Sequence, residues 1–395
     1  MKKNTINFVL SANNSGSITR LVAEYSNRLV SKGFNVTISY PVVNHWDYLV
    51  FRMQRKTRNF KNKALIFIHY AMELLWHVIK PMVKTILFKE YRGWIGKSSY
   101  MIDNRVKFNR YFSVPSAINM PDADCLIVMQ EYLIPHLLYL PECKGKIIGS
   151  IHLDYGDGIR DSSRIMKDWW SFVVSLDRRL NVPLWVTSRG TKKTCDKLGI
   201  KLGKIIYNGI DTDKFADGKR RGKLDQLRIM LYCDPKPQKG LSFGCAVIKR
   251  LKQTLTNDNV VFCSLGNISI EQSKLFDINL GYLKENEYIR AYQETDIFIF
   301  PSLYEGFPAP PLDAMACGCA LATTCVQGVE EYGVHRENCM IAEPNDLESM
   351  VNNIRTLIED LDLRDSIREN GLLTAKKFSW ENSANELVDF ILQEA

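Results

Sequence analysis

The feature that most constrains the fold is a rhythm of short apolar runs, each followed by a polar or helix-patterned stretch. INFVLS (6–11), FNVTISY (34–40), CLIVM (125–129), KIIGSI (146–151) and PLWVT (183–187) form one series. LRIMLYC (227–233), NVVFCSL (259–265), DIFIF (296–300), CALATT (319–324) and CMIA (339–342) form a second. Strands that alternate with helices in this way predict parallel sheets covered by helices on both faces. The first forty residues show the unit in small: a strand, the loop SANNSGS, then Ile18, Leu21, Val22, Tyr25 and Leu29 on one helical face. Gly33 suits the end of that helix before the next strand resumes. At 395 residues the chain exceeds one compact core and fits two α/β domains. The stretch from Lys214 to Arg228, with Gly218, Lys219, Arg220, Arg221 and Gly222, predicts a linker. Ser379 is a natural N-cap for a terminal helix running from Trp380 toward Ile391.

Residues 42–120 break the rhythm and predict an insertion on the first domain. Net charge is +8, yet residues 51–110 alone carry 14 Lys and Arg against the three acids Glu73, Glu90 and Asp103. The rest of the chain is therefore slightly acidic. Within this segment, ALIFIHYAMELLWHVIKPMVKTILF (64–88) is long enough to span a bilayer. His69, Glu73, His77, Lys80 and Lys84 recur along one helical stripe, and Pro81 would kink the helix. Five polar residues would be costly in hydrocarbon, so a span is not expected. Two readings stay open: a core helix with a solvated edge, or a face lying on an anionic membrane surface, flanked by cations and by Trp76, Tyr91 and Trp94. No nucleic-acid-binding motif is present, so nucleic acid is not an expected partner.

The amino terminus, Met1-Lys2-Lys3 before INFVLS, has too short an apolar run for a signal peptide and predicts a first strand. Ten cysteines lie scattered without a CxxC pair, which favours reduced thiols and a cytoplasmic setting over disulfides. The acidic pairs Asp122/Asp124, Asp211/Asp213 and Asp360/Asp362 are no more than chance supplies in a chain of this size, and no metal is expected.

Chemistry concentrates at the end of DIFIF. Pro301-Ser302-Leu303-Tyr304 leads into EGFPAPPLDAMACG (305–318), placing two carboxylates, Glu305 and Asp313, around a loop at a strand's carboxyl end. Ligands of open α/β sheets bind there. Pro310 and Pro311 suit a helix's first turn, and Asp313 is expected in that same turn, near the positive end of the dipole. The alternative is a proline-rich loop capped by solvated acids.

This motif resembles the donor site of family-4 glycosyltransferases of the GT-B fold (glycosyl transferases group 1). The likeness is strong over residues 203–345 and weak before 120. It implies an α/β GT-B architecture: two Rossmann-like domains facing across a cleft, residues 1–207 completed by 378–395, and residues 208–377 binding the nucleotide sugar. It implies that Glu305 bonds the sugar hydroxyls, that the amides of Gly306 and Phe307 cradle the sugar, and that Asp313 holds the ribose. Lys239 before Gly240 matches the lysine of the family's phosphate clamp. The arginine that usually precedes it is replaced by Cys233 or Asp234, leaving Lys236 as a nearby substitute. Pro308 stands where the family often has Gly, and Asp313 where it usually has Glu. Gly281, Tyr282 and Leu283 resemble the segment whose backbone meets the nucleobase. His152, closing GSIH, resembles a sugar-contacting histidine, with a capping or core histidine as the alternative. Ser15, Gly16 and Ser17 occupy the place of a Gly-rich phosphate or acceptor loop, with an ordinary turn as the alternative. Asn208, Gly209 and Asp211 match an interdomain signature.

The resemblance implies a retaining, metal-independent transferase with no cofactor besides its nucleotide-sugar co-substrate. The expected acceptor is a glycan or lipid-linked sugar of a bacterial surface polysaccharide, reached in the cytoplasm or at the inner membrane face. A non-catalytic GT-B scaffold subunit, or a GT-B epimerase or phosphorylase, are the alternatives.

Overall fold

The computed structural model describes residues 5–10, 17–41, 102–111, 120–129, 134, 137, 145–152, 174, 178–179, 182–216, 226–255 and 259–394. The amphipathic stretch 64–88, most of the basic segment, and Ser15 and Gly16 lie outside the described residues.

Packing divides the chain into two compact units. One is Met1–Ile151 with Ser175–Leu184 and Val388–Ala395; the other is His152–Val174 with Trp185–Leu387.

The first sheet has seven strands: β1 (Thr5–Val9), β2 (Asn35–Pro41), β3 (Lys107–Tyr111), β4 (Cys125–Val128), β5 (Lys146–Ile151), β6 (Leu184–Val186) and β7 (Lys204–Ile205). Their order is β3-β2-β1-β4-β5-β6-β7. The second has six: β8 (Leu227–Cys233), β9 (Val260–Gly266), β10 (Ile278–Asn279), β11 (Ile297–Phe300), β12 (Ala320–Thr324) and β13 (Met340–Ala342), in the order β10-β9-β8-β11-β12-β13. Strand pairings in both are parallel. All ten apolar runs become strands. The three strands that the rhythm misses, β3, β7 and β10, each lie at a sheet edge. An edge strand is flanked on one side only, so KFNRY can pair along β2 from Thr37↔Lys107 to Pro41↔Tyr111 without an apolar run. The expected insertion over 42–120 is corrected to that extent, since its far end supplies sheet.

Among the described residues the helices are α1 (Ser17–Ser31), α2 (Arg189–Lys197), α3 (Thr212–Ala216), α4 (Leu241–Thr254), α5 (Ile270–Ser273), α6 (Glu285–Gln293), α7 (Ala309–Ala316), α8 (Leu347–Glu359), α9 (Leu361–Ala375) and α10 (Trp380–Glu394). The expected linker is shortened at both ends, because Lys214 lies in α3 and Arg228 in β8. The terminal helix starts as expected: Ser379 Oγ accepts the Asn382 N–H at 3.1 Å.

Two cores sandwich the second sheet, and the two-residue period of its strands assigns side chains to them. Phe298 and Phe300 pack on one face with Met230, Leu321, Leu312 and Met315. Ile297 and Ile299 pack on the other with Leu231, Val247, Ile248 and Ile354. β8 pairs with β9 on one side and β11 on the other, so the sheet changes winding direction between β8 and β11. The loops leaving the carboxyl ends of these two strands meet at that switch point, where open α/β sheets hold their ligands.

Candidate donor-sugar site

The loop after β8 is built by local backbone chemistry. Asp234 Oδ1 accepts the Lys236 N–H at 3.0 Å, so the acid standing in the clamp arginine's place is a turn former. Pro237–Lys239 makes a 3-10 turn, and Gly240 follows with φ 64°. A Cβ on Gly240 would lie 2.0 Å from Pro301 O, so only glycine lets this loop approach the one after β11.

The two loops are stapled together. Gln238 O accepts the Leu303 N–H at 2.8 Å and lies 3.0 Å from the fully buried Ser302 Oγ. Thr324 Oγ1, also buried, donates to Ser302 O. Lys239 Nζ stands 2.5 Å from Glu305 Oε1, and Ser302 Oγ stands 2.7 Å from the same oxygen. The side chains of Lys239 and Glu305 keep 19% and 11% of their surface exposed, so the pair is desolvated yet still reachable. Two sequence-predicted residues, Lys239 and Glu305, are thereby brought into contact.

Gly306 to Pro308 is held from outside. A Cβ on Gly328 would come within 2.5–2.7 Å of Pro308 Cδ, Gly306 O and Phe307 Cα. Tyr332 Oη donates to Pro308 O at 3.2 Å. The Phe307 ring is buried among Tyr207, Tyr332 and Phe378, with centroids 5.7–5.8 Å away, so its side chain anchors the loop. Tyr207 is fixed in turn by Glu331, which accepts its hydroxyl at 2.9 Å. Glu331 also accepts the Arg189 backbone N–H at 2.6 Å and Nε at 2.8 Å. Burial first, then Glu331, pushes the Tyr207 hydroxyl up to about 12.

One expectation is corrected here. Helix α7 begins at Ala309, with Pro308 as N-cap and Pro310 at its second position. Asp313 is therefore the fifth helical residue, beyond the first turn in which the dipole acts. It is fully buried, and its Oδ2 accepts the Tyr288 hydroxyl at 2.9 Å. Tyr288 and Tyr292 hydroxyls lie 3.0 Å apart. A phenol has one proton, and Tyr288 gives its own to Asp313, so Tyr292 must be the donor of that second bond. Burial, then the charge of Asp313, holds the Tyr292 hydroxyl well above its ordinary range, which keeps that proton in place.

The remaining expected residues are dispersed. Gly281 has φ 63° and its O accepts the Gly266 N–H at 2.9 Å. Tyr282 is 82% exposed, whereas Leu283 packs on the core. The Lys236 side chain is exposed. Ser17 opens α1. His152 follows β5, half-buried, and burial lowers its pKa to about 4, so it is neutral near pH 7. The nine cysteines among the described residues are free thiols. Among the described residues, no helix is long and apolar enough to cross a membrane.

Sequence reasoning missed Ser302, Tyr288, Tyr292, Arg189 and Glu331. Ser302 was visible within the PS stem before Glu305. Tyr288 and Tyr292, four apart on a helix, carried the period of a buried face.

Residues 236–373 match the family model described as Glycosyl transferases group 1. Over 110 residues the chain is 33% identical to O-antigen chain mannosyltransferase B of Escherichia coli, a match covering 28% of each. It is 31% identical over 109 residues to the serotype-specific mannosyltransferase WbdA of Escherichia coli, covering 28% of this chain. The chain thus spans 28% and 13% of the lengths of these two relatives. Among solved structures, sucrose-phosphate synthase from Thermosynechococcus elongatus superposes with a TM-score of 0.67 at 13% identity, over 99% of this chain and 98% of that one. Anabaena HepE in complex with UDP-glucose gives 0.67 at 13% identity, over 98% and 99%. The fold is that of the GT-B glycosyltransferases.

Proposed function

From the match of residues 236–373 to the Glycosyl transferases group 1 model, we propose that the protein moves a sugar from a nucleotide-sugar donor to a hydroxyl of a glycan or lipid-linked acceptor, with retention at the anomeric carbon. The observation that carries this reading is the contact of Lys239, Ser302 and Glu305 at the switch point between β8 and β11.

Lys239, alone among the cations expected at the clamp in touching Glu305, meets the charge that develops on the departing diphosphate. The amides of Gly306, Phe307 and Ala309 add donors, and no metal is invoked. Glu305 accepts from the sugar hydroxyls and fixes the sugar's attitude. Asp313 serves the ribose through its tyrosine-anchored carboxylate. His152, neutral at pH 7, meets the sugar as a hydrogen-bonding group and not as a cation. The leaving phosphate itself takes the acceptor proton as the acceptor attacks from the same face, so no side chain is cast as general base.

The mannosyltransferase names of two relatives favour a mannosyl donor, and the UDP-glucose held by HepE favours a uridine one. Those relatives also favour a bacterial surface polysaccharide as the pathway, with the chain working in the cytoplasm or at the inner membrane face. A thermal-shift screen of UDP-, GDP-, ADP-, CMP- and dTDP-sugars tests the reading. A shift of several degrees with one family of donors, followed by sugar transfer to a lipid-linked acceptor, is the expected result. No shift with any donor would sink it.

A further inference from the structure

Ser302 has one proton and two acceptors within reach. Gln238 O lies at 3.0 Å and already accepts the Leu303 N–H, whereas Glu305 Oε1 lies at 2.7 Å and carries charge. Hydrogen bonds to charged acceptors are the shorter and stronger kind, so the proton belongs on Glu305. The same carboxylate oxygen therefore has two partners of different character. Lys239 is a flexible point charge with part of its surface open. Ser302 is fully buried, and its own carbonyl is tied to Thr324 in β12. One partner can leave and the other cannot.

We propose that Ser302 is a positioning residue for the transfer, holding Oε1 of Glu305 in place while Lys239 exchanges from that carboxylate to the donor's diphosphate. This rests on the donor-site reading above. Without Ser302, the carboxylate that Lys239 has left is free to turn, and a sugar must order it before bonding to its second oxygen. With it, the second oxygen stays aimed at the sugar. The sugar and the diphosphate are then felt by separate groups: Ser302 matters to a nucleotide that carries a sugar and hardly at all to one that does not.

The test is calorimetric titration of the full chain, as wild type, Ser302→Ala and Ser302→Thr. The probes are GDP with GDP-mannose and UDP with UDP-glucose. Ser302→Ala leaves Gln238 O with its Leu303 N–H, so no carbonyl is orphaned. For the pair that the wild type binds, Ser302→Ala is expected to weaken the sugar nucleotide about ten-fold and the bare diphosphate less than about two-fold. Ser302→Thr, which keeps the hydroxyl, should restore the difference. Should Ser302→Ala fail to fold, Ser302→Cys keeps the volume with a weaker donor and should show the same selective loss. Equal weakening of both ligands, or no weakening of either, would overturn the role. Wild-type chain that binds none of the UDP-, GDP-, ADP-, CMP- and dTDP-sugars of the donor screen would instead remove the donor site itself.

Discussion

The two acids of one motif live in opposite surroundings. Glu305 is partly open and shares one oxygen between a movable cation and a serine hydroxyl. Asp313 is closed off completely and is held by a tyrosine that a second tyrosine holds in turn. The first arrangement can exchange partners when a charged ligand arrives. The second rests on a neutral phenol donor packed in the interior. A single short loop has thus set one carboxylate beside a movable cation and another against buried phenols, by burial and by the charge of the neighbours.

The largest expected effect sharpens the reactive half. Glu305→Gln removes the charge with little change of shape, and transfer should fall by about 10²–10³-fold or more. Circular dichroism should show an unchanged fold, and full transfer by this variant would abolish the distinction. Next, Gly240→Ala should break the staple beneath Glu305. Its methyl meets Pro301 O, and the φ of 64° is strained for any side chain. A loss on the order of 1–3 kcal/mol in urea unfolding is expected, together with weaker donor binding.

Asp313 predicts the reverse balance. Tyr288→Phe deletes the donor to its buried Oδ2 and should cost about 1–3 kcal/mol of stability. Urea midpoints that do not move would show that Asp313 is less dependent on the tyrosine pair than its burial implies.

His152 gives the most pH-selective effect, one that vanishes near pH 7. Its folded pKa, about 4, lies below its ordinary value of 6.5, so the unfolded chain binds the proton more readily. The contribution to stability is present above about pH 6.5 and is lost as pH falls toward 4, at no more than about 1.4 kcal/mol per pH unit. His152→Gln should flatten the stability profile across that window and leave it unaltered above pH 7. An identical acid limb in wild type and variant would show that His152 is not the group titrating.

What could be read in advance follows from where each residue gets its partners. β11 is legible because four successive buried apolar residues can only be a central strand. β3 is not, because an edge strand asks little of KFNRY beyond pairing with β2. Glu305 and Lys239 are legible as motif residues, but their mutual contact spans 66 positions and depends on Gly240 nestling against Pro301. Asp313 shows the cost of a small boundary error. A helix that starts at Ala309 carries it past the first turn and turns a dipole-facing acid into an interior one. The Tyr288 bond to Asp313 joins two helices whose order in sequence says nothing of their contact.

The three prolines at 308, 310 and 311 bear on timing. Each fixes its own φ in the unfolded chain as well as the folded one, so the segment leading into α7 has little freedom left to lose. On the proposed function, a nucleotide sugar arriving at Glu305 would meet a wall already in its final shape, and little of its binding energy would go into ordering that wall. On this side of the ligand, association should approach the rate of simple encounter.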